Sequence, residues 1–161
     1  MTILKLVKLI YLADRLSLER RGVPIVGGAY YSMKNGPVPT DVLDLINEGR
    51  LYGVEDNRWE EHISARAEHE VSLKKTPPYD ELSASELRLL DEVHREHGQS
   101  NQWQLVQWCH ENCAEWTPLK AGRKPIQLSD IGEALGMADR NIERLSSNAR
   151  ELSFVQEALS A

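Results

Sequence analysis

The chain predicts a mainly helical α+β domain, close to all-α, with a small antiparallel β-sheet. Three observations point there. Residues 3–21 are apolar around one narrow charged stripe. Several later segments combine polar caps, apolar residues at helical spacing and glycine stops. Strict apolar–polar alternation is confined to residues 63–73, and residues 29–33 read as a further short strand.

The first helix is expected over Ile3 to Arg21, ended by Gly22. At helical spacing Lys5, Lys8, Arg15 and Glu19 share the charged stripe, so the rest of the surface is apolar and the helix belongs at the centre of the fold. Asp14 falls on the apolar side, among Val7, Ile10, Tyr11 and Leu18. A carboxylate there must be hydrogen-bonded or paired, because burying it bare costs several kcal/mol. The turn from Lys34 to Val38 offers backbone N–H groups and is the expected partner. Ala29 to Met33 reads as a strand, Asn35-Gly36-Pro37 as a turn, and Pro39-Thr40-Asp41 as the start of a second helix that stops at Gly49.

Residues 63–73 alternate apolar and polar and predict a half-buried strand, mated with residues 29–33 or with a short strand near Leu51–Val54. Lys74 to Leu82, with Pro77-Pro78, is a linker. Ser83 and Glu86 form a capping-box pattern, with Leu82 and Leu87 as a hydrophobic staple, for a helix that Gly98 stops. Ser100 is the expected cap of the next helix, which carries Trp103, Val106, Cys109 and Cys113 on its buried side. Residues 121–125 form an exposed basic loop. Ser129 caps a short helix broken at Gly136, and Asp139 caps the last one. Residues 137–161 form an amphipathic C-terminal helix whose small, apolar-ended tail frays, and the whole chain, 1–161, reads as one domain.

With 161 residues, the chain is long enough for a real core. Nineteen basic against 25 acidic residues give a net charge of −6, which argues against whole-molecule attraction to nucleic acid or anionic membrane. Six acids between residues 55 and 70 (Glu55, Asp56, Glu60, Glu61, Glu68 and Glu70) face only Arg58 and Arg66. Such a run is ordinarily a solvated face and alternatively meets a basic partner. The apolar start holds Lys5, Lys8, Asp14 and Arg15 with no small-residue cleavage site after it, so it reads as neither signal peptide nor membrane anchor. Two cysteines four apart on a helix suit reduced core thiols and a cytoplasmic location.

No catalytic constellation, cofactor-binding loop or metal site emerges. His94-x2-His97 and Cys109-x3-Cys113 contain zinc-type ligands, but both pairs sit inside helices rather than on knuckles. His110 adjoins Cys109 in sequence, and neighbours on a helix point apart, which disfavours a thiol–imidazole pair. Residues 128–150 have the pattern of a helix-turn-helix, with Gly132 at the helix contact, Gly136 at the turn, and Arg140, Asn141 and Arg144 as DNA-facing candidates. Asp139 and Glu143 on the same helix leave little net charge for phosphate, so packing of two short helices is the preferred account.

Three stretches together resemble a known family. Lys5-Leu-Val-Lys-Leu-Ile-Tyr-Leu-Ala-Asp-Arg, then Glu19-Arg-Arg-Gly-Val-Pro-Ile, then Met33-Lys-Asn-Gly-Pro-Val-Pro-Thr are similar to the Panacea domain of SocA-like, often phage-associated antitoxins. Trp108-Cys-His-Glu followed by Glu115-Trp116 resembles that family's closing motif, with Cys109 in place of a serine. The likeness spans roughly residues 3–135 and marks Asp14, Gly36, Pro37 and Trp116 as structural motif positions. It implies a non-catalytic antitoxin that neutralises a toxin protein by direct binding, in some members as an adaptor to the ClpXP protease. The family usually has a further helix before this motif; either the start is trimmed here, or the core is completed by the C-terminal helix or by a second copy, which makes a homodimer a candidate assembly. On this reading the toxin-facing surface comprises Tyr31, Lys34 and Asn35 together with Glu55, Asp56, Glu60 and Glu61, polar groups beside a rigid turn without an evident internal task. A transcriptional regulator acting through residues 128–150 is the alternative.

Overall fold

The structure, a computed structural model, describes residues 1–49, 58–78 and 81–148. Helix α1 (Ile3–Arg21) is the axle of the fold. The Thr2 hydroxyl accepts from the Lys5 N–H at its start, and Gly22 closes it in the left-handed conformation at φ 73°. The hairpin β1 (Tyr30–Met33) and β2 (Gly36–Pro39) follows, then α2 (Thr40–Glu48) and the short α3 (Trp59–His62). Next come α4 (Ala84–His97), α5 (Gln102–Asn112), β3 (Lys124–Ile126) and α6 (Leu128–Ala134). Residues 139–148 are helical and are called α7. Helix α1 packs against α2, α4, α5, α6 and β2, so the mainly helical α+β class is correct and the sheet takes the fold out of the all-α class.

The sheet is antiparallel with strand order β2-β1-β3. Tyr30 faces Pro39 on one side and Ile126 on the other, and Met33 faces Gly36 across the Lys34-Asn35 turn. Strand β2 carries Pro37 and Pro39, which lack an N–H, and it occupies an edge where no further strand asks for one. Two apolar clusters form the core. One gathers Tyr11, Leu12, Leu18, Tyr30, Leu105 and Ile131 around the middle of α1; the other joins Ile3, Val7, Val42, Ile46 and Val71 at its N-terminal end.

Several expectations need correction. The alternating segment is not a strand mated with residues 29–33. It follows α3 as a tight hairpin, with bridges Ile63–Leu73 and Ala67–Glu70, reversing at Glu68 with φ 54°. Of residues 65–73 only Val71 is buried, because Ala65 and Ala67 have little apolar area to reward a packed face. The mates of β1 are β2 and β3, and β3 comes from the expected basic loop, where Ile126 is 4 % exposed. The alternative mate near residues 51–54 lies outside the described residues, as do 149–161 of the C-terminal helix.

Three helices start elsewhere than expected. The cap of α5 is Asn101, not Ser100. Its side chain accepts from Trp103 and Gln104 N–H groups while Gln104 accepts from Asn101, and Ser100 N–H is taken by His97 at the end of α4. Gln127, not Ser129, precedes α6, its N–H held by Asp130. The Ala138 carbonyl accepts the first N–H groups of α7, so Asp139 lies inside that helix.

Candidate partner-binding surface

The Asp14 carboxylate is completely buried and accepts four hydrogen bonds. Oδ1 takes the N–H groups of Ile25 and Val26, both at 2.8 Å; Oδ2 takes Gly27 N–H at 3.0 Å and the Tyr30 hydroxyl at 2.8 Å. Its partner is therefore the loop that leaves α1, not the Lys34–Val38 turn. The chain turns back at Gly22, so the loop just beyond it lies beside the second half of α1, and the hairpin tip lies near the first half. Burial, then the neighbouring carboxylate, keep the Tyr30 phenol protonated far above its usual range.

The Gly36-Pro37 corner is anchored instead by Lys8, whose ammonium donates to the Pro37 carbonyl at 2.6 Å. Lys8 was expected on a charged stripe in solvent, yet it is fully buried. From Lys5 to Arg15 the stripe of α1 also faces protein, whereas Glu19 at its end is exposed. Lys5 donates to Gly98 O and Arg15 bonds the Glu115 carboxylate. Burial pulls the Lys8 ammonium down from 10.5 to about 8, against the opposing charges of Cys109 and Cys113. Gly36 has φ 100°, and a Cβ there would lie 3.0 Å from the Lys8 ammonium nitrogen. Only glycine suits both the angle and the approach.

The end of α5 secures the other flank of the hairpin. Trp116 Nε1 donates to Met33 O at 2.9 Å, and Thr117 N–H donates to the Ser32 hydroxyl at 3.0 Å. His110 stacks on Trp116 with centroids 3.8 Å apart, and burial, then the Lys8 charge, hold its pKa below the ordinary value. Glu115 Oε1 accepts from both the Tyr11 hydroxyl and Arg15 Nε. Cys109 and Cys113 are free thiols, 0 % and 2 % exposed. Hydrogen bonding to Cys109, then burial, pushes the Cys113 thiol well up, and the same bond draws Cys109 down against the opposing effect of burial. Among the described residues no group of three or more His, Cys, Asp or Glu side chains is arranged to hold a metal ion.

This rigid tip forms one side of a groove of about 480 Å³. Ile3, Val7, Val38 and Leu43 make an apolar floor, with Met33 and Trp103 at its lip. Trp103 is 60 % exposed, contrary to its expected place in the core. At about 100° per residue it lies some 120° around the helix from Cys109, whereas Val106, Cys109 and Cys113 stay together and are buried. Lys34 and Asn35 form the rim, joined by Asn47, Arg66 and His69, whose place here the sequence reading did not single out.

Residues 6–117 match the family model described as antitoxin SocA-like, Panacea domain. The chain belongs to this family. No curated protein and no solved structure matches it significantly. The matched stretch of this Panacea domain holds α1, the hairpin, α2, α4, α5 and Trp116; β3, α6 and α7 follow it. Asp14, Gly36, Pro37 and Trp116 thus converge on one task, holding the hairpin at a set position on α1.

Of the expected toxin-facing residues, five lie in the described part: Tyr31, Lys34, Asn35, Glu60 and Glu61. Lys34 and Asn35 rim the groove, but Tyr31 sits on the hairpin with Arg123 4.7 Å above its ring. Glu60 lines a neighbouring cleft that shares Asn47 and Arg66 with the groove, and Glu61 is exposed on α3. Glu55 and Asp56 lie outside the described residues. Of the DNA-facing candidates, Arg140 is exposed, while Asn141 and Arg144 line a cleft of about 180 Å³ against the end of α1, beside Glu19 and Arg20. A Cβ on Gly132 would come within 2.9 Å of Ile142, so α6 and α7 do meet at that glycine. Among the described residues no helix is long and apolar enough to cross a membrane.

Proposed function

We propose that this Panacea domain is an antitoxin that neutralises a toxin protein by direct, stoichiometric binding, without turnover, and that the toxin docks on the groove beside the hairpin tip. The observation that carries the docking surface is an exposed tryptophan over an apolar floor. Among the described residues most large apolar side chains are covered, yet Trp103 is 60 % exposed at the lip of a groove floored by Ile3, Val7, Val38 and Leu43. Contiguous exposed apolar surface with a polar rim marks an interaction site, and tryptophan is prominent among residues that dominate binding energy. The Asp14, Lys8 and Trp116 anchors support the reading, since a surface set in place beforehand spends less free energy on ordering when it binds.

The test uses the product of the adjacent gene, expressed with and without this chain. Relief of its toxicity and a complex of fixed stoichiometry on gel filtration are expected. Trp103→Ala should weaken that complex about thirtyfold or more, as loss of a hot-spot aromatic does, while leaving the melting temperature unchanged. Relief by substoichiometric amounts with a covalently altered target, or no complex, would reject direct neutralisation. Full affinity in Trp103→Ala would move the interface elsewhere.

A further inference from the structure

Resting on that reading, we infer that the groove accepts an acidic segment of the toxin that buries an apolar side chain between Trp103 and the α1 floor. The charge of the groove is opposite to that of the molecule. The chain carries −6 overall, yet among the described residues the groove lining contains Lys34, Arg66 and His69 and no aspartate or glutamate. Among the described residues Arg66 has no ion-pair partner. Its Nη1 donates to the Asn47 side-chain oxygen at 2.6 Å and its Nε to the Glu68 carbonyl at 2.8 Å, both uncharged acceptors. Lys34 is exposed and, among the described residues, has no ion-pair partner.

Two cations on the rim of an apolar trough select a segment with carboxylates flanking an apolar anchor. They steer it in against the repulsion that the rest of this acidic surface would exert. The volume, about 480 Å³, is that of a site for a few large side chains rather than an extended interface. A basic segment would meet Lys34 and Arg66 unpaired and would be rejected.

The experiment is photocrosslinking from a benzophenone amino acid at position 103, in the complex with the adjacent gene product, with the crosslinked peptide identified by mass spectrometry. Affinity is measured in parallel for wild type, Lys34→Glu, Arg66→Glu and the double variant, at low and high salt. An acid-rich crosslinked peptide with an apolar residue is expected. So is an affinity loss of about tenfold in the double variant, a weaker salt dependence there, and recovery when the crosslinked acids are reversed to lysine. A complex that forms normally but crosslinks through a neutral or basic peptide, or ignores both charge reversals, overturns this inference and leaves direct neutralisation standing. A crosslink to a second copy of this chain also overturns it, and absence of any complex overturns both.

Discussion

Replacing Asp14 by asparagine probes the most heavily bonded side chain in the core. The carboxylate is 0 % exposed and accepts from Ile25, Val26, Gly27 and Tyr30. An amide keeps one acceptor oxygen, sufficient for the Ile25 and Val26 N–H groups, but turns an NH2 toward the Gly27 N–H. Two donors then face each other in a dry site. A buried donor left unsatisfied costs about 1–3 kcal/mol, and the surviving bonds lose their charge assistance. The Tyr30 hydroxyl can rotate and accept from the new amide, which recovers part of the loss. The expected destabilisation is about 2–4 kcal/mol, which in a domain of this size lowers the melting temperature by roughly 5–15 °C. Urea and thermal unfolding of wild type and Asp14→Asn supply the number. Hydrogen exchange supplies the location: amides 25–27 should lose protection while those of Gly36 and Val38 keep theirs. A loss under about 1 kcal/mol, or deprotection confined to the hairpin tip, would refute the clamp.

Other perturbations follow from the same geometry. Gly36→Ala forces a side chain into φ 100° and toward the Lys8 ammonium, and should cost about 1–3 kcal/mol in urea unfolding. Glu115→Ala strands Arg15 and the Tyr11 hydroxyl beside a site where the carboxylate was 0 % exposed, and should cost about 3 kcal/mol or more, read from the same transition. Lys8 has a folded pKa near 8 against 10.5 when free. Between those values the unfolded chain holds one more proton than the native one, so stability from this group rises with pH. The stability difference between wild type and Lys8→Met should therefore shift in favour of wild type as pH climbs from 8 to 10.5; a flat difference would show that Lys8 titrates normally. Finally, a mobility-shift assay with the upstream operon DNA should show no salt-dependent complex, because Asp139 and Glu143 offset Arg140 and Arg144 on α7, with Glu19 beside them, and leave little net charge for phosphate.

Local chemistry was legible in the amino-acid order. Helix α1 ends at Gly22 and α4 begins with the Ser83–Glu86 box as the spacing says, because capping and the left-handed glycine act within four residues. The motif positions Asp14, Gly36, Pro37 and Trp116 were recognisable too, although what each one touches was not. Asp14 declared a need for donors without saying which backbone would bring them. Trp103 was misplaced through its helical phase, a signal present in the spacing. Arg66 gave no such signal: its role depends on a hairpin reversal at Glu68 and on Asn47 arriving from α2.

From the residues alone, then, came the helices other than α3, the central place of α1, the buried acid and the family likeness, since all of these rest on short-range periodicity and on residue types at fixed offsets. Only the tertiary structure decided that Asp14 holds the 25–27 loop while Lys8 holds the hairpin corner, that residues 124–126 complete the sheet, and that Lys34, Arg66 and Trp103 edge one groove. Those choices belong to packing. They are made by segments far apart in the chain competing to satisfy the same buried polar groups and cover the same apolar faces, and no window of sequence contains both competitors.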